Sequence, residues 1–339
     1  MASSAGSDGG GREDGSSGNQ RRQPRTMEDV LKMAIEITPT GEEGEAERNE
    51  LGPLDPERRE FLNKVFAEMY KDETKEMVSF VQMVGQKMDS EKEDDEEAVE
   101  EALENLRDLC DTIDNAQDFH KIGGTQLLPR LMDHPRSEVR WRTFDLIANL
   151  VQNVPLNQKV MLEMGGVEKL LAAVDKDSSE KCRVKALYAL SCLARDHEDC
   201  LRVFAANDGF SVLMRAMQSN VEKLQIKSAF MLKVLFQTSV ELKDTLHNMG
   251  MVQQLIGLLQ TEHAPTHEHF TAALLNLVTD HQGCIDDCRQ PEVGFKPFLT
   301  ARQEFLKGKP EYLEEYSYGQ QLMEVCFSGS HSNSTTVDR

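Results

Sequence analysis

The chain has 339 residues, room for one large domain or two small ones, and carries 38 Lys+Arg against 59 Asp+Glu, a net charge of −21. That balance excludes nucleic acid and anionic membrane as main partners, since both need a basic face. Aromatic residues are only 6%, with one Trp, and no apolar run approaches the roughly 18 residues that span a bilayer.

Residues 1–25 are rich in Gly, Ser and polar side chains and read as a disordered tail without the apolar core of a secretory signal. In residues 26–40, Met27, Val30, Leu31, Ala34 and Ile35 fall on one helical face, but the stretch is too short to hold a stable helix alone. Residues 41–54 are a Gly- and Pro-rich linker. Asp55-Pro56-Glu57 is a good helix start, and residues 55–97 are expected to be an N-terminal helical cap that ends in an acidic linker. Residues 91–118 hold 13 acids against Lys92 and Arg107. A solvated face is the plainer reading of that run, and an electrostatic docking surface the sharper one.

An internal repeat occupies residues 98–290. Glycines recur at Gly124, Gly166, Gly209 and Gly250, in steps of 42, 43 and 41. Trp141, Val184, Ile226 and Phe270 repeat in steps of 43, 42 and 44. The runs RWRTFDLIANL, RVKALYALSCL, QIKSAFMLKVL and HFTAALLNLV are one helix written four times. A period near 42 without strand-like alternation predicts an all-α, armadillo/HEAT-like right-handed α-solenoid of about four repeats. Residues 291–328 would cap its C-terminal end, and 329–339 would be a disordered tail.

In the second copy, Ala186, Ala189, Leu190 and Leu193 must face the core. A second stripe runs along Lys185, Tyr188, Cys192 and Arg195. Its counterparts are Arg142, Asp145 and Asn149 in the first copy, and Lys227, Phe230 and Val234 in the third. In armadillo-like stacks such stripes line a concave groove. Arg142, Lys185, Arg195 and Lys227 with Tyr188 and Phe230 are therefore candidate partner contacts, although any one of them can equally be a solvated side chain.

No phosphate loop, nucleophile elbow or HExxH metal motif occurs, so no catalytic residue and no cofactor is expected. His263, His267, His269, His281, Cys284 and Cys288 cluster in the sequence. Pro265 interrupts the first pair, and loop or capping histidines with buried thiols are a better reading than zinc. Seven scattered cysteines with no CxxC suit free thiols in a reducing compartment, hence a cytoplasmic protein that can also enter the nucleus.

The stretches LCDTIDNAQDF, VRWRTFDLIANLVQNV, CRVKALYALSCLARD, DGFSVLMRAMQSNVEKLQIKSAF and MGMVQQLIGLLQTEHAPTHEHF resemble the Fes-type armadillo nucleotide-exchange factors, the Hsp70-binding proteins of the vertebrate cytosol. The likeness covers most of residues 26–328. It implies an adaptor that binds the ATPase domain of the heat-shock protein 70 chaperone and speeds ADP release. It also implies that residues 26–38 resemble the family's substrate-release segment. Asp114-Asn115-Ala116 matches the family's tripeptide after the first repeat-like helix, with Ala116 small enough for a partner backbone to approach. Lys227 matches a basic position, and Asn149, Lys185, Tyr188 and Arg195 match the lining pattern. A chaperone-associated ubiquitin ligase is a second candidate partner, and a monomer is expected. The competing class is a peptide-binding solenoid, which needs a Trp and Asn ladder. Here the Trp place reads Asp145, Tyr188, Phe230 and Leu274, and the Asn place keeps only Asn149.

Overall fold

A computed structural model describes residues 73–328, apart from Asp196 and Ser239. The 1–25 tail, the 26–40 segment, the 41–54 linker, the helix expected from Asp55 and the 329–339 tail lie outside the described residues. Among the described residues every regular element is helical.

Helix α1 (Glu73–Lys87) turns Met77, Val81 and Val84 inward and packs on α2 (Glu93–Leu109). The acidic linker expected up to residue 97 is therefore the start of a helix. Glu93, Asp94, Asp95 and Glu96 fill the first turn of α2, where the helix dipole favours negative charge. Val99, Ala102, Leu103 and Leu106 form its buried face.

Five three-helix units follow. The first is α3 (Ile113–Lys121), a 3-10 turn leading into the short α4 (Leu128–Met132), and α5 (Ser137–Val151). The second is α6 (Pro155–Glu163), α7 (Gly166–Lys176) and α8 (Glu180–Ala194). Next come α9 (Glu198–Ala206), α10 (Gly209–Met217) and α11 (Glu222–Thr238), then α12 (Val240–Asn248), α13 (Met251–Leu259) and α14 (Thr266–Val278). The expected C-terminal cap is instead a fifth complete unit: α15 (Gln282–Arg289), α16 (Phe295–Leu306) and α17 (Leu313–Phe327).

Backbone geometry explains the glycine repeat and corrects its register. A left-handed residue precedes the second helix of every unit: Gly123, Gly165, Asp208, Gly250 and Gly294, with φ between 58° and 84°. Glycine adopts this conformation at no steric cost, and a short acidic side chain tolerates it. Gly124, Gly166 and Gly209 are one place further on and serve a different need. A Cβ there would lie 2.5 Å from the Phe119 ring, 2.6 Å from Met161 and 2.6 Å from the Phe204 ring. Gly250 belongs to the first set, which is why the sequence step to it is one residue short.

The third helices stack in chain order, α2 on α5, α5 on α8, α8 on α11, α11 on α14 and α14 on α17. Ala186, Ala189, Leu190 and Leu193 are all buried at this seam, as the periodicity predicts. Ion pairs join successive units along the second helices: Arg130–Asp89 at 2.5 Å, Lys169–Asp133, and Arg215–Asp175 at 2.7 Å. Most of these groups are exposed and each pair adds little. Arg140 is different. Its fork meets both oxygens of the buried Asp177 at 2.8 Å and also donates to the carbonyls of His134 and Pro135.

Candidate functional site

The stacked third helices carry the predicted stripe, but most of its cations have acids beside them. Arg142 lies 2.8 Å from Glu104, 3.2 Å from Glu100 and 2.7 Å from Glu138, with its guanidinium 4.2 Å from the Trp141 ring centre. The Trp141 indole N–H, then Arg142, holds the Glu138 carboxyl below its ordinary range. The acidic run of α2 thus supplies internal counter-charges: Glu96 and Glu100 also pair with Arg136.

Asp145 is buried and sits between Lys185 at 2.7 Å and Arg107 at 3.6 Å. Asn149 donates to the Arg107 carbonyl at 2.9 Å. A cleft of about 210 Å³ opens here, lined by Glu104, Arg107, Trp141, Arg142 and Asp145. Its two cations and two acids balance, so the cleft offers no surplus positive charge.

The third unit is different. Lys227 is exposed, with its ammonium 5.1 Å from the Tyr188 ring centre. Phe230, one turn along, is 50% exposed. The Tyr188 hydroxyl donates to Gln152 Oε1 at 3.4 Å, and burial raises its pKa. Arg195 follows α8 half-buried, and its charge acts on Tyr188 and on the thiol of Cys192. The structure therefore brings Tyr188, Arg195, Lys227 and Phe230 together, and engages Arg142, Asn149 and Lys185 internally.

Two candidates are not surface residues. Ala116 is 1% exposed, packed inside the first unit, and its carbonyl accepts from Asn157 at 2.7 Å. No partner backbone can approach it. Asn115 is buried as well and acts as a bolt, donating to Glu73 at 2.6 Å and to the Leu109 carbonyl at 2.8 Å. Packing of α3 against α5 and α6 turns Asn115 and Ala116 inward, while Asp114 stays exposed.

The ladder of an extended-peptide binder is also closed. Cys192, Leu274 and Val278 are buried, and Asn149 is already bonded.

The histidines and cysteines divide into three roles. His197 and His281 cap α9 and α15 by accepting the amides of Cys200 and Cys284. This H-x-x-C cap recurs at an interval of 84 residues, two periods, a signal the sequence reading did not use. Cys284 and Cys288 are buried thiols, and burial pushes Cys284 up to about 12. His263, His267 and Glu315 place one ligand atom each within 4.8 Å of the others. Arg302 already sits among them, 2.9 Å from His267 Nδ1 and 3.2 Å from Glu315, and supplies the positive charge that the buried carboxylate needs. His269 is outside this group.

Sequence reasoning missed the pairing of the cations. A signal was present. Opposite charges stand about one period apart at Glu104 and Arg142, Asp145 and Lys185, and Asp175 and Arg215, with separations of 38, 40 and 40 residues.

Comparison with known proteins follows the same outline. Residues 115–255 match the model of the SIL1/FES1/HPBP1 C-terminal domain, and residues 27–119 match that of nucleotide exchange factor Fes1. Hsp70-binding protein 1 of Homo sapiens is 41% identical over 322 residues, covering 92% of this chain and 88% of that protein. The Mus musculus protein of the same name is 40% identical over 327 residues, covering 94% and 90%. Among solved structures, a designed armadillo repeat protein superposes with a TM-score of 0.58 at 20% identity, over 73% of this chain and 99% of that one, and shares the fold. With this span and identity, the chain belongs to the SIL1/FES1/HPBP1 family of Fes1-type nucleotide exchange factors.

Proposed function

We propose that the chain is a nucleotide-exchange co-chaperone. It docks its third-helix face on the ATPase domain of Hsp70 and accelerates ADP release, which promotes release of the chaperone's substrate. The observation that carries this reading is the 41% identity across 322 residues to a protein named for binding Hsp70. The exposed Lys227 and Phe230 beside Tyr188 support the choice of surface, since aromatic and cationic side chains anchor interfaces.

In this reading the chain performs no chemistry of its own. Its effect on ADP comes through differential binding: if it prefers the open nucleotide cleft, ADP must bind more weakly by the same factor. It works as a monomer in the cytosol and nucleus, a setting that suits its seven free cysteines, and a chaperone-associated ubiquitin ligase is a second partner. Residues 26–38 displace chaperone-bound peptide, so deleting residues 1–40 should spare ADP release and weaken peptide displacement.

The test loads the Hsp70 ATPase domain with a fluorescent ADP analogue and follows its release. The full chain should speed release, and the Lys227→Ala/Phe230→Ala double variant should lose binding and acceleration together. Binding without any acceleration would instead favour a plain armadillo adaptor.

A further inference from the structure

Two large apolar side chains stand in solvent in the first turns of the first helices of successive units. Ile113 opens α3 and Leu156 lies in the first turn of α6, 43 residues later; they are 53% and 47% exposed. The α3 and α6 helices pack side by side. In the third unit the corresponding turn reads Glu198-Asp199, both exposed.

Beside Ile113 opens a cleft of about 220 Å³, lined by Asp111, Ile113, Asn149, Gln152, Asn153 and Val154 among others. Asp111 and Asp114 flank Ile113 on the surface, and neither has an ion-pair partner among the described residues. These two acids thus place open negative charge on both sides of the apolar Ile113. The cleft is continuous with the docking face: Gln152 lines it and also accepts the Tyr188 hydroxyl, and Asn149 lies on both.

We infer that this rim is a second contact for the same chaperone ATPase domain, one that seats Ile113 and Leu156 in an apolar socket bordered by lysine or arginine. The inference rests on the proposed function. It commits to that occupant because a partner seated on the third-helix face meets the rim across Gln152, and because the two open carboxylates call for a basic surface. The balanced charges of Arg142 and Asp145 cannot supply attraction at this end, whereas the rim can.

The experiment measures binding of the full chain to the isolated ATPase domain by calorimetry at low and high salt, with ADP release alongside. Ile113→Ser/Leu156→Ser should weaken binding about tenfold or more, because two half-buried contacts lose their apolar area. Asp111→Asn/Asp114→Asn should weaken it less and flatten its salt dependence, because the screened attraction is gone. Both variants replace surface side chains, and an unchanged thermal midpoint confirms that each is folded. Folded variants that bind within twofold of wild type, with the wild-type salt slope, overturn the rim. A wild-type chain that fails to bind overturns the proposed function itself. Self-association of the wild type in sedimentation velocity that the serine variant abolishes gives the rim to a second copy of this chain, and also overturns the proposal.

Discussion

His267 should make the last unit sensitive to mild acid. It is 1% exposed, its Nδ1 accepts from Arg302 at 2.9 Å, and its Nε2 faces the Thr261 hydroxyl at 3.3 Å. Burial, then the charges of Arg302 and His263, push its pKa down to about 4 from 6.5. The unfolded chain takes up a proton as pH falls through the upper value, while the folded chain refuses one until the lower. Stability is therefore complete above about pH 6.5 and is lost as pH falls toward 4. The full gap is worth about 3 kcal/mol, and between pH 7.5 and 5.5 the loss from this group is about 1 kcal/mol. His267→Gln keeps an acceptor for Arg302 and cannot titrate. The assay is urea unfolding followed by far-UV circular dichroism at both pH values. Trp141 is unsuitable as a probe because it lies in α5, far along the chain from this unit. The wild type should lose about 1 kcal/mol more than the variant over this interval, since carboxylates common to both cancel. Equal losses would refute the account of His267 as a neutral acceptor.

Three further outcomes concern the packing. Ala116→Arg should unfold the first unit or cost at least about 3 kcal/mol, because it drives a charge into a closed core; a thermal melt reads this directly. Gly124→Ala should cost about 1–3 kcal/mol in denaturant unfolding, since its Cβ meets the Phe119 ring at 2.5 Å, whereas Gly257→Ala has open space and should not destabilise. Asn157→Ala leaves the carbonyls of Ala116 and Leu150 without their bonds of 2.7 and 2.8 Å and should cost about 2 kcal/mol, seen as a lower urea midpoint.

The solenoid was legible because its cause is periodic. A buried seam of Ala186, Ala189, Leu190 and Leu193 must recur wherever units stack, and the glycines recur wherever the chain turns left-handed. The fifth unit escaped notice because its glycine, Gly294, comes 44 residues after Gly250, wider than the earlier steps, although Phe295 follows it just as Met251 follows Gly250. The binding face was legible by position but not by state. Periodicity places Arg142 and Lys227 on equivalent turns, yet whether a cation is open depends on the helix stacked beside it. The α2 helix offers acids to Arg142, while Lys227 lies beside the Tyr188 ring and has no ion-pair partner among the described residues. Asn115 and Ala116 failed for a related reason. They belong to a first helix, whose inward face is set by its packing against α5 and α6 and not by the third-helix pattern.

The uneven charge of this face bears on how docking can shift a nucleotide equilibrium. The pairs Glu104–Arg142 and Asp145–Lys185 each join one third helix to the next, so they resist sliding between units while leaving no surplus charge to steer a partner. The open groups lie at two places: Lys227 and Phe230 on α11, and the rim at the start of α3. The rim borders the end of α5, and third helices stack at roughly 10 Å, so two steps from α5 to α11 hold these places roughly 20 Å apart. A stiff body with two separated contacts is matched only by a partner whose own two surfaces stand at the same spacing. A chaperone domain that changes the relative position of its lobes when nucleotide leaves will satisfy both contacts in one state and one contact in the other. The difference in binding between those states is the coupling energy. About 1–3 kcal/mol of it weakens ADP by about 5–150-fold. A flexible binder with the same side chains would follow both states equally and shift neither.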